Sequence, residues 1–332
     1  MDYSLIKILQ DRLRKDLNHP SPEGRFFSSD YISRNYRNLF GIGEDERFDK
    51  AFDIVAFGQG TEILKMNSLQ SSSLLSLLFF YPLYGESNKV LIIENTPYNK
   101  CFFEIKNRVI KFPSCIDIVL WSEKKKKLLY LESKFSEYTD VTNKDEFSIS
   151  YYSLYKKLKE KKILPEKFLL DTKEGNTKER NFTIQLTNNQ KDYIQGIKQA
   201  ISHIIGLING PYKPSNNKNH KESKFLEEFN KHYYQQANEI EFSTILFRLN
   251  PEEGLGDFFK SYKNLYDSII INKGKEIIAT IKGLENWKGF HSDQEKGRLK
   301  IGNKIITYQD LSKQNPDYMQ SLPLPIKQFY GL

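Results

Sequence analysis

Two short segments of the chain hold residues that could act together on a substrate. The first is CIDIVL at 115–120, with Asp117 between two isoleucines, and the second is YLESKF at 130–135, with Glu132 and Lys134. Both have the composition of strands, and side chains two apart in a strand project to the same face, so Glu132 and Lys134 point together. Asp117 on a neighbouring strand lies within reach of both. Charges among apolar residues are unfavourable unless they are paired or bind a metal ion.

Two neighbouring carboxylates repel each other, and a hard divalent cation relieves that repulsion. Mg²⁺ binds oxygen ligands and commonly takes one or two carboxylates together with waters and phosphate oxygens. It can polarise a phosphate and lower the pKa of a bound water. Lys134 would orient that water or stabilise the charge that develops on the phosphate. The predicted reaction is hydrolysis of a phosphodiester, with Mg²⁺ as cofactor and Mn²⁺ as a substitute.

The acid-x-Lys triplet is a weak signal by itself. A chain of 332 residues with 42 acidic residues and 40 lysines holds about five such triplets by chance. The specificity comes from the context, which is an apolar strand, an aspartate in the preceding strand, a short hairpin turn and a long helix that follows. The alternative is a solvent-facing Glu/Lys pair at a strand end, with Asp117 a satisfied core acid.

The surrounding pattern predicts an α/β fold. Alternating, β-branched and aromatic runs predict strands at 102–110, 115–122, 128–135 and 241–249, with a charged turn at 123–127 closing a hairpin, and a short strand at 90–94. Isoleucines at helical spacing predict a helix over 189–208, and another helix is predicted over 4–17. The tail from 258 to 332 is predicted to contain a helix and a hairpin-like segment. This order indicates a mixed sheet flanked by helices.

Asp117 followed by Glu132-Ser133-Lys134, in the order strand, hairpin, strand, helix, resembles the PD-(D/E)XK nuclease superfamily. The proline that usually precedes the first acid is replaced by Ile116, a common departure in that superfamily. The resemblance implies a restriction-endonuclease-like core, a mixed β-sheet flanked by helices, with N- and C-terminal elaborations. It divides the chain into a helical extension at 1–56, a nuclease core at 57–250 and a C-terminal elaboration at 251–332 that packs on the core.

Three further pieces resemble a group of bacterial type II restriction endonucleases. They are GQGTE at 58–62, SSSLL at 71–75 and FEIK at 103–106. By this resemblance Glu62 is an additional acid at the metal site, although an ordinary carboxylate at a helix start explains it equally well. Glu104 could face the same site or pair with a surface lysine.

The superfamily also implies substrate contacts from the long helix. There it often sets a Gln or Lys beside the active site, so the candidates for substrate contact on this helix are Gln195, Lys198, Gln199 and His203. A solvated helix face is the alternative for each of them. The Tyr/Lys mixture at 151–167 could lie along a nucleic-acid backbone or form an ordinary amphipathic surface helix.

Several other sites are excluded. The glycines at 58 and 60 lack the Lys-Ser/Thr that a phosphate-binding loop requires. The serines at 71–73 have no histidine nearby in the sequence and are predicted to cap a helix. The five histidines show no zinc-binding spacing.

Composition sets the broad class. The hydrophobic fraction of 39% and the aromatic fraction of 14% exclude a disordered protein, and two cysteines exclude a disulfide framework. The net charge of +8 comes from lysine rather than arginine, which permits a polyanionic partner. Without a secretory signal or an apolar stretch of membrane-spanning length, we expect a cytoplasmic protein with no membrane partner.

The leading hypothesis is a Mg²⁺-dependent DNA endonuclease of restriction or defence. Asp117, Glu132 and Glu62 are the predicted metal ligands, and Lys134 is the predicted partner of the attacking water. DNA is the expected substrate, with a homodimer and a companion methyltransferase as further expected partners. Two alternatives stay open, a catalytically inactive nucleic-acid-binding module on the same fold and a lysine-rich partner-binding protein. A recognition sequence, and the choice between DNA and RNA, are not fixed by these residues.

Overall fold

The fold is taken from a computed structural model of the chain. It describes residues 3–18, 27, 33–57, 66–85, 87–110, 113–135, 144–173, 181–186, 195–212, 220–248, 256–284 and 298–332. Within these segments the helices are α1 (Tyr3–Asp16), α2 (Ser33–Phe40), α3 (Glu46–Phe57), α4 (Ser72–Phe80), α5 (Tyr152–Glu160), α6 (Gln195–Asn209), α7 (His220–Phe229), α8 (Gly256–Tyr266), α9 (Asn272–Lys282), α10 (Tyr308–Gln314), α11 (Pro316–Met319) and α12 (Leu324–Tyr330). A π-helical turn, Asp267–Ile271, joins α8 to α9.

The strands of the described segments form three sheets. They are β1 (Leu91–Ile93), β2 (Thr96–Tyr98), β3 (Lys100–Asn107), β4 (Ser114–Ser122), β5 (Lys127–Lys134), β6 (Lys144–Ser148), β7 (Phe168–Lys173), β8 (Asn181–Leu186), β9 (Glu239–Leu246), β10 (Leu299–Ile301) and β11 (Ile306–Thr307). The central sheet has the order β10-β9-β5-β4-β3, and β11 pairs separately with β9. The pairs β3–β4 and β4–β5 are antiparallel, whereas β9 is parallel to β5, β10 and β11. The chain is therefore an α/β protein with a mixed sheet flanked by helices.

The two central strands of this sheet are covered on both faces. Nearly every residue of β5 and β9 is buried, as expected for parallel neighbours that carry helices on either side. Helix α4 packs against β4 and β5, and helix α6 packs against β3 and β4. The predicted capping role of the serines is confirmed, because the Ser71 side chain accepts the Leu74 amide of α4 at 3.0 Å.

The predicted hairpin of the central sheet is confirmed. Strands β4 and β5 are joined by the charged turn at 123–126, within a residue of the predicted bounds. The predicted helix over 189–208 is α6, whose isoleucines are buried at helical spacing, while residues 189–194 lie outside the described segments. The predicted strand at 90–94 is β1, which pairs only with β2 in a small separate sheet.

The hairpin-like interpretation of the tail is wrong. Its first half lies in α9, where Ile277 and Ile281 are buried one helical turn apart. Its second half forms β10 and β11, which both pair parallel to β9 instead of with each other. Apolar alternation over a few residues does not distinguish these arrangements.

A small three-stranded sheet was not anticipated from the sequence. It has the order β6-β8-β7, is antiparallel throughout, and lies between β5 and α6 in the chain, with helix α5 after β6. Phe147, Tyr155 and Phe182 form its aromatic core, with ring centroids 4.6–5.8 Å apart. The Tyr/Lys mixture predicted as a helix is α5 and the turn that follows it.

Buried side chains from all three predicted segments, 1–56, 57–250 and 251–332, belong to one hydrophobic cluster. Helix α1 packs on α12, near the other end of the chain. The boundaries at 56 and 250 stay a prediction. Within the described segments, none of the helices combines the length and apolar character needed to cross a bilayer.

Candidate active site

Three carboxylates lie in a row across the central sheet. The β4–β5 ladder ends at the pair of Ile118 and Leu131. Continuing its register by one residue sets Asp117 opposite Glu132. The β3–β4 register places Glu104 opposite Asp117, and the β5–β9 register places Thr244 beside Glu132. We call Glu104, Asp117 and Glu132 the acidic row. The sheet therefore brings together the two acids that the sequence predicted, on adjacent strands and at the same level.

The Asp117 side chain accepts a backbone hydrogen bond at the point where the ladder between β4 and β5 ends. Its Oδ2 accepts the backbone amide of Ser133 at 2.7 Å, next to the point where the β4–β5 ladder ends. The side chain remains half-buried. Loss of hydration on burial, followed by the charges of Glu132 and Glu104, raises the pKa of Asp117 well above its usual range, against the opposing effects of Lys134 and the Ser133 amide.

The pKa of Glu132 is shifted in the opposite direction from that of Asp117. Lys134 Nζ contacts Glu132 Oε1 at 2.5 Å, and both side chains are only 5–6% exposed. Burial alone would raise the pKa of Glu132, but Lys134 and His203 outweigh it and lower that pKa to about 2. Glu132 is therefore the ionised member of the pair, and Asp117 is the member that takes up a proton more readily.

His203, a candidate substrate contact in the sequence, lies beside Glu132 in the structure. It lies on α6 with its side chain 7% exposed, and its Nε2 is 2.9 Å from Glu132 Oε2. Its Nδ1 is hydrogen-bonded to the hydroxyl of Ser114, at the start of β4. Gly206, one turn further along α6, permits this approach, since a Cβ there would lie 2.9 Å from the Asn107 Cβ.

The chain Ser114–His203–Glu132 resembles a nucleophilic triad only in composition. In a hydrolase triad the serine is accessible and bonds Nε2, while the carboxylate bonds Nδ1. Here the two nitrogens have exchanged partners, and all three residues are buried. The arrangement orients Glu132 and does not expose Ser114 for attack.

Glu104 marks an irregularity in β3. Its φ is +54°, the left-handed region that a non-glycine residue rarely enters, and the ladder with β4 lacks the pair at this position. Its Oε2 accepts a hydrogen bond from the Cys115 thiol at 2.9 Å. Glu104 thus faces the acidic row rather than forming an ordinary rung of the sheet. This local distortion could not be recognised from an unbroken strand pattern.

Ser133 points to the other side of the sheet and fixes β5 from behind. Its hydroxyl is 2.8 Å from the Tyr308 hydroxyl of α10 and 3.4 Å from the Ser72 carbonyl of α4. The Tyr308 hydroxyl also lies 3.3 Å from Ser76 Oγ. We call Ser76, Ser133 and Tyr308 the hydroxyl cluster. It anchors the strand between Glu132 and Lys134.

Tyr266 lies at the end of the acidic row that is nearest to β9. Its hydroxyl is hydrogen-bonded to Thr244, beside Glu132, and burial is the main cause that raises the pKa of Tyr266. It is the last residue of α8, directly before the π-helical turn. Such turns often occur at functional sites.

Among the α6 residues predicted to contact substrate, His203 lies at the acidic row, whereas Lys198 is directed to the small sheet. Lys198 Nζ donates to the Glu146 carbonyl at 2.9 Å and lies 4.6 Å from the centroid of Phe147, which attaches α6 to the small sheet. Gln199 is half-buried, and Gln195 begins the helix. Glu62 lies outside the described residues, so its predicted role stays a prediction.

Asp117 and Glu132 are the described residues best placed to hold a metal ion. Both offer hard oxygens, and a cation would relieve the repulsion that raises the pKa of Asp117. In the part of the chain that the structure describes, no group of three His, Cys, Asp or Glu side chains is arranged to hold a metal. The donor set fits a cation that keeps several waters, as Mg²⁺ does. Comparison with protein-family models, curated proteins and solved structures gives no match.

Proposed function

We propose that this chain is a Mg²⁺-dependent endonuclease that hydrolyses phosphodiester bonds of DNA on a restriction-endonuclease-like fold. The observation that carries the proposal is the pair Asp117 and Glu132, opposite each other on adjacent strands, with Lys134 two residues beyond Glu132. Two acids and a lysine within the interior strands of the sheet, with Glu132 and Lys134 buried and Asp117 half-buried, are unfavourable for folding, because apolar residues would fill the same space more stably. The net charge of +8 supports a polyanionic substrate.

The roles of the three residues follow from their contacts. Asp117 and Glu132 would hold the cation, which requires Lys134 to leave Glu132 Oε1. Bound Mg²⁺ polarises the scissile phosphate and lowers the pKa of a coordinated water. Lys134, once released, is a cation beside the reacting phosphate and stabilises the charge that develops on its oxygens. A bound cation would favour the ionised form of Asp117, whose pKa is raised in its absence.

The wider context of the proposal rests on the resemblance of the motif. It includes a cytoplasmic restriction or defence role, a companion methyltransferase and Mn²⁺ as a substitute metal. Cleavage of both strands usually needs two active sites, so a homodimer is part of the proposal.

The direct test is cleavage of supercoiled plasmid DNA by the purified chain. We expect nicked or linear DNA with millimolar Mg²⁺ or Mn²⁺ and intact plasmid with EDTA. Asp117→Asn keeps an oxygen that can accept the Ser133 amide but lacks the charge, so cleavage should fall on the order of 100-fold or more. Circular dichroism checks that the variant is folded.

Two outcomes would contradict the proposal. An Asp117→Asn variant that cuts as well as the wild type would exclude a role for this carboxylate in the chemistry. DNA binding whose affinity falls with salt, without any metal-dependent cleavage, would instead identify a nucleic-acid-binding module. Absence of both DNA affinity and Mg²⁺ binding would favour the lysine-rich partner-binding protein.

A further inference from the structure

His203 leaves Glu132 with one carboxylate oxygen for a ligand. The two oxygens of Glu132 have different partners, since Oε1 contacts Lys134 and Oε2 lies 2.9 Å from His203 Nε2. Lys134 is a flexible side chain that can move away. His203 is fixed by the α6 backbone and by Ser114, so Oε2 stays occupied when Oε1 is released.

The hydrogen bond at Ser114 sets which nitrogen of His203 faces Glu132 as a donor. When the serine hydroxyl donates to Nδ1, the ring proton of a neutral imidazole lies on Nε2. Nε2 and Oε2 are both buried and lie 2.9 Å apart, and among the described residues neither atom forms a hydrogen bond to any other group. Their mutual contact is therefore what compensates the burial of both atoms, and separating them would be unfavourable.

We infer that His203 is a positioning residue that limits Glu132 to ligation through the single oxygen Oε1, and so selects a small octahedral cation. This inference rests on the proposed metal site. Mg²⁺ takes single carboxylate oxygens in an octahedron, whereas Ca²⁺ readily takes both oxygens of one carboxylate and a higher coordination number. With Oε2 held by His203, the two-oxygen mode that favours Ca²⁺ is closed. His203 therefore discriminates between cations without touching either of them.

Two substitutions of nearly equal size separate this role from a merely structural one. In His203→Gln the side-chain amide reaches the position of Nε2 and keeps a donor for Glu132. In His203→Asn the amide reaches only the position of Nδ1, so it keeps a partner for Ser114 and frees Oε2. Ser114→Ala is a milder variant that loosens the ring from the other side.

The experiment is calorimetric titration of wild type and variants with Mg²⁺ and with Ca²⁺, together with plasmid cleavage kinetics. We expect wild type and His203→Gln to share the same affinity ratio of the two cations. His203→Asn should shift the ratio towards Ca²⁺ by about 10-fold or more, the usual scale for groups that orient a metal ligand. Its kcat should fall by a similar factor at unchanged KM for DNA, and Ser114→Ala should shift the ratio in the same direction by less. His232→Asn, at an exposed position, is the matched control.

The outcomes separate this inference from the proposed function. Equal cation ratios in folded His203→Asn and His203→Gln would overturn the positioning role. If the wild type binds Mg²⁺ but cuts no DNA, the endonuclease proposal fails while the cation ratios still decide the role of His203. If the wild type binds neither cation, both are overturned. Thermal unfolding of each variant shows whether a lost effect is only lost folding.

Discussion

At the scale of single residues, Asp117 and Glu132 are neighbouring carboxyl groups whose pKa values shift in opposite directions. Glu132 is stabilised as a carboxylate by Lys134 and His203, and its pKa lies at about 2. Asp117 faces that negative charge and accepts a hydrogen bond from the Ser133 backbone amide, and its pKa is raised. The ionised form of Asp117 is therefore unfavourable in this site, and a bound cation would stabilise it.

This predicts that Asp117→Asn stabilises the protein while it removes activity. A carboxyl with a raised pKa in the folded state favours folding below its unfolded value of 3.8 and opposes folding as pH rises through its folded value. The free energy of unfolding of the variant should exceed that of the wild type at pH 8, by about 1.4 kcal/mol for each unit of pKa that is relieved. Urea unfolding at pH 5, 6.5 and 8 measures it. A gain that does not grow with pH would contradict the assignment of charge.

Glu132 should show the reverse dependence. Its lowered pKa contributes stability that is present above the unfolded value of 4.5 and is lost as pH falls towards 2.

The sequence predicted Asp117, Glu132 and Lys134 because strand alternation and hairpin pairing are local. His203 was predicted as a candidate substrate contact, but its position beside Glu132 and the membership of Tyr266 in the site could not be predicted, for a physical reason. Each reaches it through the docking of a helix, and that docking depends on distant contacts such as the approach of Gly206 to Asn107. The spacing of the isoleucines in α6 does not show that His203, on the helix face expected to be solvated, is buried.

At the scale of elements, helix α5 presents a lysine-rich surface. Leu154, Tyr155 and Leu158 bury one face of the helix, and Lys156 and Lys157 are exposed. The small sheet that carries α5 is fastened to α6 through Lys198, five residues before His203. If DNA lies over the acidic row, this surface is placed to contact its phosphates.

We predict that Lys156→Gln together with Lys157→Gln weakens DNA binding without changing kcat. Each lysine that contacts a phosphate contributes about 0.9 to the slope of log K against log salt, so the slope should fall by up to about 1.8. The matched control is Lys124→Gln with Lys125→Gln, an exposed pair in the turn at the opposite end of β4 and β5, roughly 25 Å along the strand from Glu132. Fluorescence anisotropy with labelled duplex DNA at several salt concentrations measures both. Equal slopes for the two double variants would exclude α5 from the interface.

Elements with a continuous pattern were predictable, and elements that depend on pairing were not. The α5 helix and the central hairpin follow from local composition. The short strands β10 and β11 have too few residues to show a period, and only their parallel pairing with β9 defines them. The small sheet β6-β8-β7 was missed although β8, NFTIQL, alternates polar and apolar residues, and its partner β6, KDEFS, has no such alternation.

At the scale of the whole molecule, the C-terminal segment supports the strand that carries Glu132 and Lys134. Tyr308 of α10 reaches Ser133 from behind the sheet, and α12 packs Tyr330 against Phe135 at the end of β5. The Arg12 side chain donates to the Phe329 carbonyl at 3.2 Å, which connects the first helix to the last. Both ends of the chain therefore contribute to the scaffold behind the site.

We predict that Tyr308→Phe lowers the free energy of unfolding by about 1–3 kcal/mol, because it leaves buried hydroxyls of the hydroxyl cluster with fewer partners. Tyr233→Phe is the matched control, since that half-buried hydroxyl has only a 3.4 Å contact with Lys100 Nζ, and its effect should stay below about 0.5 kcal/mol. Urea unfolding compares the two. Equal stabilities would show that the cluster does not hold β5.

The pairing of β5 with β9 has a consequence for the newborn chain. These strands are neighbours in the sheet, yet more than a hundred residues separate them in the sequence. At a synthesis rate of about 5–20 residues per second, β5 leaves the ribosome roughly 5 to 20 seconds before its partner. During that interval its free edge is exposed to other chains, and the loop that it must close is long. A chain released before β9 therefore has no finished site, and under the proposed function a cell would be exposed to the nuclease only after most of the chain has been translated.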